Sequence, residues 1–371
     1  MNVHINHSQL SAALGRWLVQ QLAIANVECN LEHLQIESLA ARNHATPGSR
    51  HFRITTDRVT HIVIDMSQVV SGQNSQGHTA ALIKATALMA DAGLRVPAVL
   101  AADVAQGFLL LADPGRQTYL DVLLADPGAI FTETLLRPTA ETLIRWQLSA
   151  KPDVLPVISG AVLRQQLQLF SDCYLGQHLG ISLNEGQKKT LDSVFASIIA
   201  VNLAEQKTFV HGDFVLENWL VSEPESGYEN ALKASTGAVF APISYDLASL
   251  YKDAFLSFDE ECVLDGMIRY WEKAKKAGLP MPIDFADFYR DAEWMGLQRH
   301  LYLLGAFARP KKLASEDGEN AEILRHLADA PRFLRYIRKV GERYTALFPL
   351  IRLVDALKID DGVTRKAGIM F

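Results

Sequence analysis

The stretch FVHGDFVLENWLV, Phe209 to Val221, decides how the rest of the chain is read. Phe209 and Val210 run into His211-Gly212-Asp213, Asn218 follows Asp213 by five residues, and Trp219-Leu220-Val221 closes the stretch. The apolar flanks read as buried segments and the glycine as a turn between them. A carboxylate and a carboxamide are thus placed together in one loop. Either residue alone would be read as a loop cap or a turn residue.

The pair at this spacing has a chemical reading. Phosphoryl transfer to a hydroxyl needs a carboxylate to orient the hydroxyl and accept its proton. It needs oxygen ligands to hold a divalent cation against the phosphates, and donors to cradle them. In the kinase pattern, which this spacing resembles, a loop Asp supplies the first and an Asn five residues later supplies part of the second.

Working outward, the preceding segments read as a sheet. Leu34 and Ile36 alternate in LEHLQIES, Phe52 and Ile54 share a face in HFRITT, and HIVID carries Ile62, Val63 and Ile64. Polar turns separate them, ARNHATPGSR (Ala41–Arg50) first and Asp57-Arg58 second, so the order is strand, turn, strand, turn, strand. A helix is expected over Thr79–Ala92 with Gly93 as its C-cap, then strands over Val96–Leu100 and Gly107–Leu111. Before the sheet, Leu10, Leu14, Trp17, Leu18 and Leu22 recur at helical spacing. After ADPGRQTYLDVL (Ala112–Leu123) helical periodicity dominates, over Glu133–Leu148, Val162–Gly176, Glu185–Ala204, Ser244–Phe255, Glu260–Ala277, Phe285–Phe307 and from Glu322 onward. The expected fold class is α+β: an N-terminal helix (1–30), a small antiparallel β-rich lobe (31–113) and a larger helical lobe (114–371), with the cleft as the default ligand site.

The bulk numbers fit that picture. The 371 residues are 49% hydrophobic and 21% charged, enough apolar material for a large core in two lobes. The net charge of −6 and the lack of a basic stripe argue against a nucleic-acid partner. Cys29, Cys173 and Cys262 have no CxxC spacing, which argues against a disulfide framework and fits a cytoplasmic protein. MNVHINHSQL lacks the pattern of a signal peptide, no apolar run is long enough to span a bilayer, and no fixed-period repeat is present.

HGDFVLEN resembles the catalytic loop of the aminoglycoside phosphotransferase and choline kinase-like family, a group with a protein kinase-like fold. RVPAVLAADVAQGFLLLADPGRQTYLDVL, LFSDCYLGQHLG, PISYDLASLYKDAF, IRYWEKAKKAGLP and EWMGLQRHL are similar to a bacterial branch of that family. That branch contains anomeric kinases of N-acetylmuramate and N-acetylglucosamine, which act in cell-wall sugar recycling. The resemblance implies ATP (or GTP) and Mg²⁺, with Asp213 as the base and Asn218 on the metal. It makes His211 and Asp246 structural, the latter a buried carboxylate needing donors. Ser49, Arg50 and His51 lie on the first hairpin turn, where backbone N–H groups would cover phosphates. The backbone of Leu111 to Asp113 would face the base.

The segment after the loop departs from the family pattern. Aligned back from Pro242, EPESGYENALKASTGAVFAPISYDL puts Ala234 and Gly237 where the family carries two aspartates, and no carboxylate lies between Glu229 and Asp246. Three readings stay open: a shifted register in which Glu229 or Asn230 reaches the metal, a pseudokinase that binds nucleotide or sugar as a sensor or regulator, and a local lesion in the sequence. Asp65 falls near the place where many kinases carry a phosphate-binding Lys, and the helix Thr79–Ala92 has no Glu to pair with one. On the acceptor side, Arg164, Glu293, Trp294, Gln298 and Arg299 are candidates for an N-acetylated sugar, weighed against ordinary helix packing. Glu260, Glu261, Asp287, Asp291 and Glu293 keep an aminoglycoside acceptor open.

Overall fold

The structure is a computed structural model, and it describes residues 10–24, 34–39, 48–56, 59–69, 75–125, 137–221, 230–254, 256–309, 327–328 and 330–359. These fall into two compact units, Met1–Leu135 with His211–Ala238, and Leu136–Val210 with Val239–Phe371. The loop bearing Asp213 therefore groups by its contacts with the sheet, not with the helices that flank it in sequence. Among the described residues no helix is long and apolar enough to cross a membrane.

The first unit is built on a five-stranded antiparallel sheet. Its strands are β1 (Gln35–Leu39), β2 (Arg50–Thr55), β3 (Thr60–Asp65), β4 (Val99–Asp103) and β5 (Phe108–Ala112), in spatial order β1-β2-β3-β5-β4. Period-2 alternation gives the sheet two apolar faces. Phe52, Ile54, Val63, Phe108 and Leu110 point to one, where Leu14, Trp17, Leu18 and Leu22 of helix α1 (Ala12–Ile24) cover them. Ile64, Leu109 and Leu111 point to the other, against Met66, Val69 and Leu82. Leu82 belongs to helix α2 (Ser75–Asp91), which closes in a Schellman motif: Leu94 N–H donates to the Met89 carbonyl at 3.0 Å and Gly93, at φ +75°, to Ala90 at 2.9 Å. The strand expected over Val96–Leu100 forms three residues later, over Val99–Asp103, with a bulge between Val99 and Ala101. Pro97 lacks the N–H a ladder position needs.

After β5 the chain turns at Asp113-Pro114-Gly115 into helix α3 (Tyr119–Ala125). A capping box starts it: Asp121 N–H donates to Thr118 Oγ1 at 3.1 Å, and Thr118 N–H to Asp121 Oδ2 at 3.0 Å.

The second unit is mainly helical. In chain order it holds α4 (Arg137–Leu148), α5 (Gly160–Leu169), α6 (Glu185–Ala204), α7 (Tyr245–Tyr251), α8 (Glu260–Lys276), α9 (Phe285–Ala308), α10 (Ala330–Arg343) and α11 (Phe348–Ala356). Lys207–Val210 pairs antiparallel with Val239–Pro242 beside them. The single helix expected over Val162–Gly176 is instead α5 followed by a π-helical stretch, Phe170–His178, which buries Phe170, Cys173, Tyr174 and Leu175. The start of the helix expected from Glu322 lies outside the described residues.

Candidate active site

The loop after Val210 is fixed by its own polar groups. Fully buried His211 bridges two strands of chain: its Nδ1 accepts the Asp213 N–H at 3.3 Å, and its Nε2 donates to the Lys233 carbonyl at 2.7 Å. Burial holds its pKa below the usual histidine value, so the neutral ring is the form both bonds require. Gly212 has φ +81°, and a Cβ there would lie 2.3 Å from the Gly237 carbonyl oxygen. Glycine is the residue that permits both the conformation and the contact. The backbone then turns through Leu216–Asn218, a 3₁₀ turn, and Asn218 Nδ2 reaches back to the Asp213 carbonyl at 2.8 Å and to Asp213 Oδ2 at 2.7 Å. Both side chains are buried among mixed polar surroundings, Asp213 at 7% and Asn218 at 5% exposure.

The loop is also tied to the rest of its unit. Trp219–Leu220 pairs with Ala231–Leu232, Trp219 stacks on Tyr119 with ring centres 5.5 Å apart, and Phe214 meets Trp219 edge-on at 5.4 Å. Leu232 N–H donates to the Arg95 carbonyl at 2.9 Å.

A cavity of about 450 Å³ opens within this unit, a size that suits a nucleotide-sized ligand. Ile62, Ile64, Met66, Leu82, Leu111 and Leu220 form an apolar part of its wall. Asp213, Glu217, Asn218, Lys233, Ser235 and Thr236 form a polar part, with Ser49 and His51 from the β2 side. His51 bonds Ser49 Oγ at 3.1 Å, and burial together with the Lys233 charge pushes its pKa down to about 4. Arg53 lines the cavity with its buried guanidinium locked on Asp113, Nε to Oδ2 at 2.6 Å and Nη2 to Oδ1 at 3.2 Å, and bonded to the Gly115 carbonyl at 2.6 Å. Burial pushes the Asp113 carboxyl up, but Arg53 and the Gly115 amide outweigh it and hold it below the ordinary carboxylate range.

The sequence profile of the phosphotransferase enzyme family matches residues 49–279. An N-acetylmuramate/N-acetylglucosamine kinase of Pseudomonas aeruginosa is 41% identical over 275 residues, 74% of this chain and 77% of that protein. The chain belongs to this phosphotransferase family. An N-acetylmuramate/N-acetylglucosamine kinase of Neisseria meningitidis is 37% identical over 268 residues, 72% of this chain and 77% of that one. The solved structure of an ADP-bound aminoglycoside phosphotransferase superposes with a TM-score of 0.54 at 14% identity, covering 86% of this chain and 97% of that one, which shows a shared protein kinase-like α+β fold.

Against the family pattern, the expected site residues separate into groups. Asp213, Asn218, Ser49, His51 and Leu111 line the one cavity. Arg50 directs its guanidinium to fully buried Asp65, its direct cross-strand partner on β3. The acid that stands near the place of a kinase lysine is thereby committed to an ion pair. Asp113 acts through its side chain, as the anchor of Arg53. Asp246 is fully buried in the first turn of α7.

The five acceptor candidates belong to the helical unit, where each has contacts of its own. Trp294 is part of the hydrophobic core, Glu293 is held by Arg343 and by Tyr344 Oη (2.6 Å), and Gln298 Nε2 donates to Gln166 Oε1 at 2.8 Å. Arg299 is buried, and Arg164 pairs with Asp192 at 3.1 Å on the surface. Trp294 Nε1 and Gln298 Oε1 are buried with no hydrogen-bond partner among the described residues, so packing alone leaves two polar atoms unaccounted for.

Lys233, Glu217 and Arg53 are cavity residues that the sequence pattern did not single out. For Lys233 a signal was present, since it immediately precedes the position at which an expected aspartate is missing.

Membership implies a nucleoside triphosphate and, in general, a divalent metal. The cavity fits the first, with an apolar slot beside clustered polar groups. The described residues do not fit the metal set of the family pattern. Ala234 packs beside the apolar cluster of Ile64, Met66, Leu82 and Leu111, and Gly237 lies against Gly212. Ser235 Oγ accepts the Gly237 N–H at 3.0 Å, forming a tight polar turn in place of a carboxylate ladder. Asn230 donates from Nδ2 to Tyr119 Oη at 2.6 Å. Glu229 lies outside the described residues. Among the described residues no group of three or more His, Cys, Asp or Glu side chains is arranged to hold a metal ion.

Proposed function

We propose that this phosphotransferase moves the γ-phosphoryl group of ATP to a hydroxyl of an N-acetylated amino sugar of the N-acetylmuramate or N-acetylglucosamine kind, in the cytoplasm. The observation that carries the reading is the Asp213 carboxylate fixed by Asn218 on the wall of a cavity with a nucleotide-sized apolar slot. The substrate class is taken from the names of the two relatives above.

The chemistry follows from the loop. The acceptor oxygen attacks the γ-phosphorus, the bond to the β–γ bridging oxygen breaks, and ADP leaves. Asp213 orients the hydroxyl and takes its proton. Asn218 holds the carboxylate in one orientation, so that no reorganisation is needed when charge moves. Bound Mg²⁺ would add charge neutralisation at the phosphates. Among the described residues Asp213 and Asn218 are the oxygen donors that would hold it.

A second reading is a nucleotide-binding protein without turnover, favoured by Ala234 and Gly237 at the two aspartate positions. Transfer from γ-labelled ATP to N-acetylmuramate and N-acetylglucosamine, with Asp213→Ala as the control, separates the two. Label in the sugar that disappears in the variant supports the kinase. Nucleotide binding with no transfer to either sugar supports the second reading.

A further inference from the structure

Among the described residues three cationic side chains line the cavity, and two are already engaged with carboxylates. Arg53 is locked on Asp113, and Arg116 pairs with Glu37 at 2.8 Å. The third, Lys233, donates from Nζ to a neutral acceptor, the Glu217 main-chain carbonyl, at 3.2 Å. Its backbone is pinned on both sides: Lys233 N–H donates to the Asn218 carbonyl at 2.9 Å, and its own carbonyl receives His211 Nε2. The ammonium thus extends from the segment that fixes the Asp213 loop; burial lowers its pKa from the usual lysine value, and the charges of Glu217, Asp213 and Asp121 oppose that fall. An ammonium has three donors, so a carbonyl contact leaves capacity for an anionic oxygen. His51, neutral, adds no charge nearby.

We propose that Lys233 is the phosphate-binding cation of this cavity, standing one residue before the position at which the family pattern recruits a metal through aspartate. A transferring phosphoryl group needs positive charge beside its oxygens, whether from a metal or from Lys or Arg. Here a fixed ammonium supplies it from the hairpin, and the neighbouring position is free to be the apolar Ala234. The inference rests on the phosphotransferase reading for its ligand, a nucleoside di- or triphosphate.

The test is equilibrium binding of ADP and of adenosine by titration calorimetry, with Mg²⁺ and with EDTA, for the wild type, Lys233→Met and Lys233→Arg. Losing one charge-assisted contact to phosphate should weaken ADP binding by Lys233→Met about 10- to 100-fold in EDTA. Adenosine, which has no phosphate, should bind wild type and Lys233→Met alike, and Lys233→Arg should recover part of the ADP affinity. Equal loss for adenosine and ADP would make Lys233 a structural residue and overturn the proposal. So would unchanged ADP affinity in Lys233→Met, or wild-type ADP binding that collapses when Mg²⁺ is chelated. Lys233-dependent ADP binding in a protein that phosphorylates neither sugar would sustain this proposal while removing the kinase reading.

Discussion

The Asn218 carboxamide bonds both the carboxylate and the main-chain carbonyl of Asp213, at 2.7 and 2.8 Å. One side chain thereby fixes the acid's rotamer and the turn that carries it. Asp213→Asn keeps the shape and removes the base, so turnover should fall about 10²- to 10⁴-fold with little change in melting temperature. Asn218→Ala should fall less, about 10- to 100-fold, because the base remains but is no longer held. Steady-state rates with both variants check this. Equal rates for Asn218→Ala and wild type would remove the positioning role.

Gly212 answers to two constraints, a left-handed backbone and the Gly237 carbonyl pressed against it. Gly93 meets only the first, since nothing lies within 4 Å of a Cβ built there. Gly93→Ala should cost about 1 kcal/mol, the price of the backbone conformation. Gly212→Ala should cost about 3 kcal/mol or more, because backbone has to move away from the new methyl. Denaturant melts of the two variants give the comparison, and equal losses would mean that the hairpin yields easily.

Much of this was legible in the chain itself, for reasons that can be named. The alternation in HFRITT and HIVID gave the two faces of the sheet, and the residues called for α1 are those that cover one of them. The helix Glu185–Ala204 was legible to the residue because Asn184 and Gln187 form a capping box at its start. The π-helical stretch was not, because Phe170, Cys173, Tyr174 and Leu175 satisfy a 3.6-residue period as well as a wider one. Within the site, the Asp213–Asn218 pair is local and was visible. The Arg53–Asp113 pair joins residues 60 positions apart, and no spacing rule reaches that far. Trp294 and Glu293 show why the acceptor side is harder to read: a helix face rich in aromatic and charged groups looks alike whether it serves a ligand or the Tyr344 and Arg343 that it touches.

Glu205 is buried with its Oε2 accepting the Ser244 N–H at 3.2 Å, and burial pushes its pKa up to about 8. The folded state binds this proton more tightly than the unfolded chain does. Its contribution to stability is therefore fully present below about 4.5 and is lost as pH rises towards about 8. Glu205→Gln keeps the acceptor and removes the titration. Relative to wild type it should gain about 2–4 kcal/mol of stability between pH 5 and pH 8.5. Melts across that range test it. A difference between the two proteins that does not change with pH would mean that Glu205 does not take up a proton on folding.

Ala234 is the position at which restoring an aspartate looks like an obvious repair, and the packing argues that it is not one. Its side chain meets the apolar cluster formed by Ile64, Met66, Leu82 and Leu111. Ala234 is half-buried between that cluster and the cavity, so a carboxylate there would lose part of its water beside apolar groups, at about 1 kcal/mol. Ala234→Asp should therefore lower the melting temperature and leave sugar phosphorylation at or below the wild-type rate at every Mg²⁺ concentration. The same titration distinguishes a built site from a damaged one. If Ala234→Asp instead raises turnover tenfold and makes it steeply dependent on Mg²⁺, then the cavity was waiting for a metal ligand, and the role given to Lys233 falls with that result.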